Sequence, residues 1–249
     1  MMDFKEKYDR YMHELALYCH DKVPCRKYSM QAKYPSKVVW FIEAMNWRIK
    51  ECCEGAVILL DANLVIPSAA LIRSALENLA ILHKMKKLVI ETVCNNTISN
   101  DLDKELMRFL FANKYKKGVF VDDNTYELFH QYQPDTVALL MDGLDEDVGI
   151  LTKGQISIKK FYSNLCEFVH TNTDGIMGAY SDLDEDNEMI NFGPQITPSH
   201  PLYDAFPLTL LVALDLYIVD MRSIYDNLPE FTKVCEEKLK RQKISNFHK

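Results

Sequence analysis

Glycine and proline are scarce in this chain, 8 and 9 of 249 residues, well below average usage. Few tight turns are therefore available, and long helices are expected. The motifs GxGxxG, GxxxxGK[ST], GxSxG and HExxH are all absent, so nothing points to dinucleotide binding, a P-loop, a serine-hydrolase elbow or a zincin. The seven cysteines, Cys19, Cys25, Cys52, Cys53, Cys94, Cys166 and Cys235, include no CxxC pair. Adjacent Cys52 and Cys53 do not have a zinc spacing. Their odd number, and a charged, helical N-terminus (MMDFKEKYDRYMHEL) without secretory features, predict a reducing cytoplasmic setting.

An excess of basic charge is missing too. The formal net charge is −7, which argues against a general nucleic-acid-binding surface, because phosphate neutralisation needs clustered cations. The tail carries Lys238, Lys240, Arg241, Lys243 and Lys249 and reads as a solvated helix end whose cations complement the C-terminal dipole. Residues 206–221 read as the most apolar region. They contain Pro207, Asp215 and Asp220 and are too short and too charged for a bilayer span, so no membrane partner is expected.

What the chain has in quantity is helix formers and a 48% hydrophobic content, enough to bury a sizeable core. Phe4, Tyr8, Met12 and Leu15 recur at helical spacing and predict a helix over residues 2–20. Ser36 caps a predicted second helix reaching about residue 63, with Val39, Ile42, Met45 and Ile49 on one stripe. Pro67, in a first-turn position, opens a third over residues 66–87, and residues 88–98 are ambiguous. A fourth is predicted over residues 101–117 with Gly118 as its C-cap, then a short helix capped by Asp123 or Asn124 and reaching Gln133, and another from Pro134 to about Gly143. Residues 144–153 read as an acidic loop, and Ser157 or Gln155 opens a helix ending at His170. Residues 176–180 and 189–192 read as β-type runs joined by the acidic turn SDLDEDNE, a small hairpin. The last helical region begins at Pro201 and is interrupted at Pro229. The fold expected is an all-α helical bundle with a small inserted β-hairpin. It forms one domain over residues 1–249, with peripheral helices at 1–20 and 230–249.

Two polar pairs interrupt this pattern. Arg73 and Glu77 lie one turn apart, roughly 40° apart on a wheel, on the side of the third helix opposite Leu71, Ile72, Leu76 and Leu79. Their stripe neighbours are Ala69, Ala70, Ala80 and Lys84. Small residues beside an ion pair let another helix approach closely, and Arg73 could offer its planar fork to a carboxylate. The alternatives are an exposed i,i+4 pair and a buried structural network. Downstream, Glu167 and His170 lie about 60° apart on the later helix. This spacing can hold a metal or share a proton, or simply place a cation in the last helical turn.

The segment LCEFVHTNTDG (165–175) resembles the "LSEFVH, then Pro or Thr, Asn" stretch of a family of helical bacterial domains that also carries an Arg-x-x-x-Glu pair on an earlier apolar helix. That family is grouped with HEPN-like proteins, helical modules of toxin–antitoxin, abortive-infection and CRISPR-linked systems. The resemblance spans residues 65–215. It rests on Arg73, Glu77, Tyr162, Leu165, Glu167, Val169, His170, Asn172 and Gly175. It implies a cytoplasmic bacterial protein of defence or stress, RNA-directed and nuclease-like or degenerate, with RNA or a partner protein of such a system as its target and a homo-oligomeric state. Under it Arg73, Glu77, Glu167 and His170 are candidate catalytic residues: Arg73 contacts an anion, His170 moves protons, and the glutamates orient them. Catalytic HEPN ribonucleases carry Arg and His separated by four to six residues on a late helix. Here the spacing from Arg73 to His83 is too long, and the literal match is RQKISNFH, Arg241 to His248, at the tail.

No cofactor is expected. Two other readings stay open: a non-enzymatic binding or assembly module, and a di-metal carboxylate bundle. For the latter, Glu127 and His130 form a second Glu-x-x-His beside Glu167 and His170, with Glu43 or Glu77 as a bridging ligand, but a second bridging helix is lacking. Asp182, Asp184 and Asp186 begin like a calcium loop, yet Asn187 stands where glycine is needed and Gly193 where glutamate is.

Overall fold

A computed structural model describes residues 4–24, 28–99, 101–111, 135–170, 174–186 and 188–247. The elements in chain order are α1 (Phe4–Ala16), α2 (Lys33–Asp61), α3 (Val65–Cys94), α4 (Leu102–Phe111), α5 (Val137–Leu151) and α6 (Ile158–Val169). A π-helical turn (Asp174–Gly178), β1 (Ser181–Asp184), β2 (Met189–Phe192) and α7 (Ala205–Phe247) complete them. The fold is an all-α bundle with one small antiparallel hairpin. The expectations for residues 118, 123, 124, 127, 130 and 134 lie outside the described residues.

Local chemistry explains the helix boundaries. Asn63 takes the left-handed conformation (φ 58°) at the end of α2. The Leu64 amide then donates to Leu59 O at 2.7 Å and the Asn63 amide to Leu60 O at 2.9 Å. This is a Schellman closure, with asparagine where glycine is commonest. Soon afterwards Pro67 sits in the first turn of α3, where its missing N–H costs no bond. Asn96 (φ 46°) ends α3 in the same way. Ser157 caps α6, its side chain accepting from the Lys160 amide at 3.2 Å.

The chain groups into two units. One comprises residues 1–19, 46–81 and 140–219. Its core includes Leu15, Ile49, Cys53, Ile72, Leu76, Leu79, Leu214 and Tyr217, all fully or nearly fully buried. Within it α2 and α3 touch closely at Gly55, where an added Cβ would lie 2.8 Å from Leu71 Cδ1, and Ser68 Oγ donates to Ala56 O at 2.9 Å. The Tyr217 hydroxyl, inside this core, donates to Asn46 Oδ1 at 2.9 Å, and Asn46 Nδ2 donates to Tyr18 O at 3.0 Å. The other unit comprises residues 20–45, 82–139 and 220–249, with Val38, Ile42, Leu82, Met85, Leu102, Leu106, Ile224, Leu228 and Phe231 buried.

Three expectations need correction, and one stretch left open is decided. Residues 144–151 are helical, not a loop: Met141, Leu144 and Val148 form a buried stripe, and the acids serve the next helix. Asp145 Oδ1 accepts from Ser157 Oγ and from the Lys159 amide, both at 3.0 Å. Residues 88–94 continue α3, whose Val89 is fully buried. The first strand is Ser181–Asp184 and not 176–180, which enters a π turn and a short helical segment instead. Pro229 lies inside α7 without ending it. Proline removes one intrahelical bond, but Leu228 and Phe231 on either side are fully buried, and their packing keeps the helix continuous. Among the described residues α3 carries an 18-residue window of mean hydropathy 1.4. Length and composition would let α3 cross a membrane, but 56% of that window is buried inside the protein.

Candidate functional site

The Arg73–Glu77 stripe is where the fold places a polar cluster in the first unit. Arg73 Nε lies 3.4 Å from Glu77 Oε1, and each side chain keeps about 25% of its surface exposed. Ala69 and Ala80 beside them are buried, so this stripe of α3 faces protein. A second helix does approach it: the Tyr162 hydroxyl of α6 donates to Glu77 Oε1 at 3.0 Å. Cys166, one turn further along α6, also hydrogen-bonds Tyr162. Partial burial, the Glu77 charge and these hydrogen bonds push the Tyr162 hydroxyl well above its ordinary pKa of 10.0. Tyr162 is therefore a neutral donor that holds a carboxylate. Arg73 Nε itself is buried without a well-aligned acceptor, so the ion pair rather than a hydrogen bond at that atom satisfies it.

Glu167 and His170 occupy other places. Glu167 is exposed and lines a cavity of about 290 Å³ between α6 and the start of α7. Phe161, Phe168 and Phe206 give this cavity aromatic walls, and Asn164 and Thr209 add polar atoms. Phe168 and Phe206 pack with ring centroids 5.6 Å apart. Arg73, Glu77 and His170 are not among its lining residues. His170 is the exposed C-cap of α6 in extended conformation (φ −80°, ψ 152°), and its backbone N–H donates to Cys166 O at 2.9 Å. The four sequence-selected residues thus fall at three places: a paired stripe, a cavity wall and a helix end.

Gly175 ties the end of α6 to the π turn. Its backbone lies so close to the last carbonyls of α6 that an added Cβ would sit 2.1 Å from His170 O and 3.0 Å from both Glu167 O and Phe168 O. The π turn and the hairpin are anchored by this contact.

No family model, curated protein or solved structure matches this chain. Among the described residues no group of three or more His, Cys, Asp or Glu side chains could hold a metal ion. Glu127 and His130, the second Glu-x-x-His, lie outside those residues, as does His248 of the tail match.

Sequence reasoning missed the most buried charged cluster among the described residues, which lies in the second unit. His83 Nδ1 is 2.7 Å from Asp220 Oδ2, and Lys86 Nζ is 2.6 Å from Asp220 Oδ1. The His83 and Asp220 side chains are only 6% and 7% exposed. Signals were present: a histidine directly after the apolar run of residues 79–82 in α3 and an aspartate in an apolar run. Their pairing across 137 residues of sequence left no local trace. A related group joins Glu43 Oε1 to His20 Nδ1 and to the Tyr225 hydroxyl, both at 3.0 Å.

Proposed function

We propose that the chain is a cytoplasmic, HEPN-like helical protein of a bacterial defence or stress system, degenerate as a nuclease and working as a binding module for a partner of that system. The observation that carries this reading is the hydrogen bond from Tyr162 to Glu77. It joins the Arg-x-x-x-Glu pair to Tyr162, a residue of the resemblance that lies on the same helix three residues before the LSEFVH-like segment. Binding is favoured over catalysis because a general acid–base group must lie within hydrogen-bond reach of the reacting atoms. Arg73 and Glu77 are committed to each other and Tyr162 to Glu77, while His170 stands at an exposed helix end. The acidic balance of the chain also disfavours an RNA surface.

The test is a comparison of variants in purified protein and in cells. Arg73→Ala and His170→Ala are expected to show no RNA cleavage beyond the wild type's own baseline. Cells carrying the gene with its genomic neighbours are expected to change phage plating efficiency. RNA cleavage by the wild type, lost in both variants while helicity persists, would overturn the degenerate reading in favour of an active ribonuclease. An unchanged plating efficiency would remove the defence role. Independently, Glu77→Ala leaves the Tyr162 hydroxyl without its acceptor and Arg73 without its ion-pair partner, a loss of about 2 kcal/mol at this partly exposed site. The melting temperature is expected to fall by roughly 4–8 °C. A melting curve that superimposes on the wild type's would show the cluster to be a surface pair without structural weight.

A further inference from the structure

Seven of the nineteen large apolar side chains exposed among the described residues lie between Ile176 and Phe192. The hairpin register sorts the strand residues among them. Ser181 pairs with Phe192 and Leu183 with Ile190, while Asp182 pairs with Asn191 and Asp184 with Met189. Directly opposed residues share a face and neighbours along a strand alternate. One face therefore carries Leu183, Ile190 and Phe192, and the other carries Asp182 and Asp184 with Asn191 and Met189. In a two-layer fold the apolar face would be covered by the core. Here Leu183, Ile190 and Phe192 are 60%, 50% and 76% exposed. An isolated two-stranded hairpin is marginal in water, and an apolar patch kept outside marks an interaction surface.

Charge identifies the kind of occupant. Between Lys160 and Arg222 the sequence contains no lysine or arginine, yet it holds ten Asp and Glu residues. Three of them, Glu185, Asp186 and Glu188, lie in or beside the hairpin turn. A second copy would set this stretch against itself. Nucleic acid and anionic lipid surfaces are excluded by the same sign of charge. What complements an apolar strip rimmed by carboxylates is a strip of apolar side chains flanked by cations.

We infer that the Leu183–Ile190–Phe192 face of the hairpin docks a basic, apolar segment of a partner protein, with the segment's Lys or Arg side chains meeting Glu185, Asp186 and Glu188. The docking needs no assumption about the Arg73–Glu77 cluster and holds whether or not the defence reading does. Among the described residues β1 and β2 pair with no further strand, which suits an extended segment adding main-chain hydrogen bonds there.

The probe is a fluorescein-labelled peptide alternating lysine with valine, compared with its glutamate-for-lysine counterpart, titrated with the full chain and followed by anisotropy. The lysine peptide is expected to bind and the glutamate peptide not to bind, with affinity falling as salt rises. The double variant Ile190→Ser/Phe192→Ser, at exposed positions and checked for unchanged helicity, is expected to bind at least about ten-fold more weakly. Glu185→Gln/Asp186→Asn/Glu188→Gln is expected to flatten the salt dependence. Equal affinity of the double-serine variant would mean diffuse attraction to a net acidic protein, and would overturn the proposal. So would absence of binding. A wild-type dimer in sedimentation that the double-serine variant dissociates would assign the face to a second copy and overturn it equally.

Discussion

Replacing Asp220 by alanine is expected to cost about 3–5 kcal/mol. The carboxylate sits on α7 with both oxygens engaged, Oδ2 by His83 and Oδ1 by Lys86. Both His83 and Asp220 are buried, and the Lys86 side chain is 18% exposed. Removing the shared acceptor leaves a buried imidazole and a mostly shielded ammonium beside each other, with Lys86 Nζ 3.2 Å from His83 Nδ1. Their desolvation is no longer offset. The small cavity left by the aspartate side chain adds to the loss. Asp220→Asn keeps the volume and one acceptor oxygen, so its loss is expected to be distinctly smaller. The informative variant is the double His83→Leu/Asp220→Leu. Apolar replacement of both partners of a buried pair is often neutral, so this protein should be more stable than Asp220→Ala alone. Urea unfolding followed by far-ultraviolet circular dichroism measures all three. An Asp220→Ala loss under about 1 kcal/mol, the ordinary value for an exposed pair, would show that the cluster is solvated.

Gly175→Ala is expected to destabilise by about 3 kcal/mol, at the upper end for an added methyl group in a tight contact. The reason is backbone proximity. A carbon-to-oxygen contact normally lies at about 3.3–3.6 Å, and the new Cβ would lie 2.1 Å from His170 O. The contacting atoms are main-chain carbonyls of α6, which cannot rotate aside as the end of a side chain can. Either the last turn of α6 or the π turn has to move, and β1 and β2 come directly after that turn. Amide exchange in Ser181–Asp184 and Met189–Phe192 should therefore rise along with the global loss. Two internal controls belong beside it. At Gly143 and Gly149, inside α5, an added Cβ meets nothing within 4 Å. Alanine there should stabilise by about 0.5–1 kcal/mol through helix propensity. A Gly175→Ala protein as stable as its Gly143→Ala counterpart would mean that the close approach at α6 does not exist in solution.

The helical part of this fold is legible in the sequence because it is local. Val39, Ile42, Met45 and Ile49 repeat at the helical period and are the buried face of α2. Ser157 before an amphipathic run is the cap of α6, and Met189–Phe192 is the second hairpin strand as its residues suggest. The failures share one cause: a residue that serves a neighbouring element looks as though it describes its own. Asp145 helps residues 144–153 resemble a loop, but it accepts from Ser157 at the start of α6, as Asp142 does from Lys159. Pro229 resembles a break, but the packing of Leu228 and Phe231 sets that region.

For the candidate site the same division holds. The Arg73–Glu77 contact is an i,i+4 relation within one helix and can be read directly from spacing. Its third member, Tyr162, lies 85 residues away and is visible in the sequence only as part of the resemblance. Glu167 and His170 have a spacing that permits joint action, but joint action also requires that both face the same neighbour. Glu167 faces the cavity beside Phe168 and Phe206, while His170 caps the end of its helix.

Composition and periodicity alone determined that the chain is helical and acidic, with an ion pair on an alanine-lined stripe, since these properties come from residue type and from the 3.6-residue repeat. Which polar groups are buried together, which carboxylate faces a cavity, and which apolar face stays outside were decided by the packing of helices distant in sequence. The chain's local geometry leaves that choice open, because every amphipathic helix satisfies its own backbone whichever partner it meets.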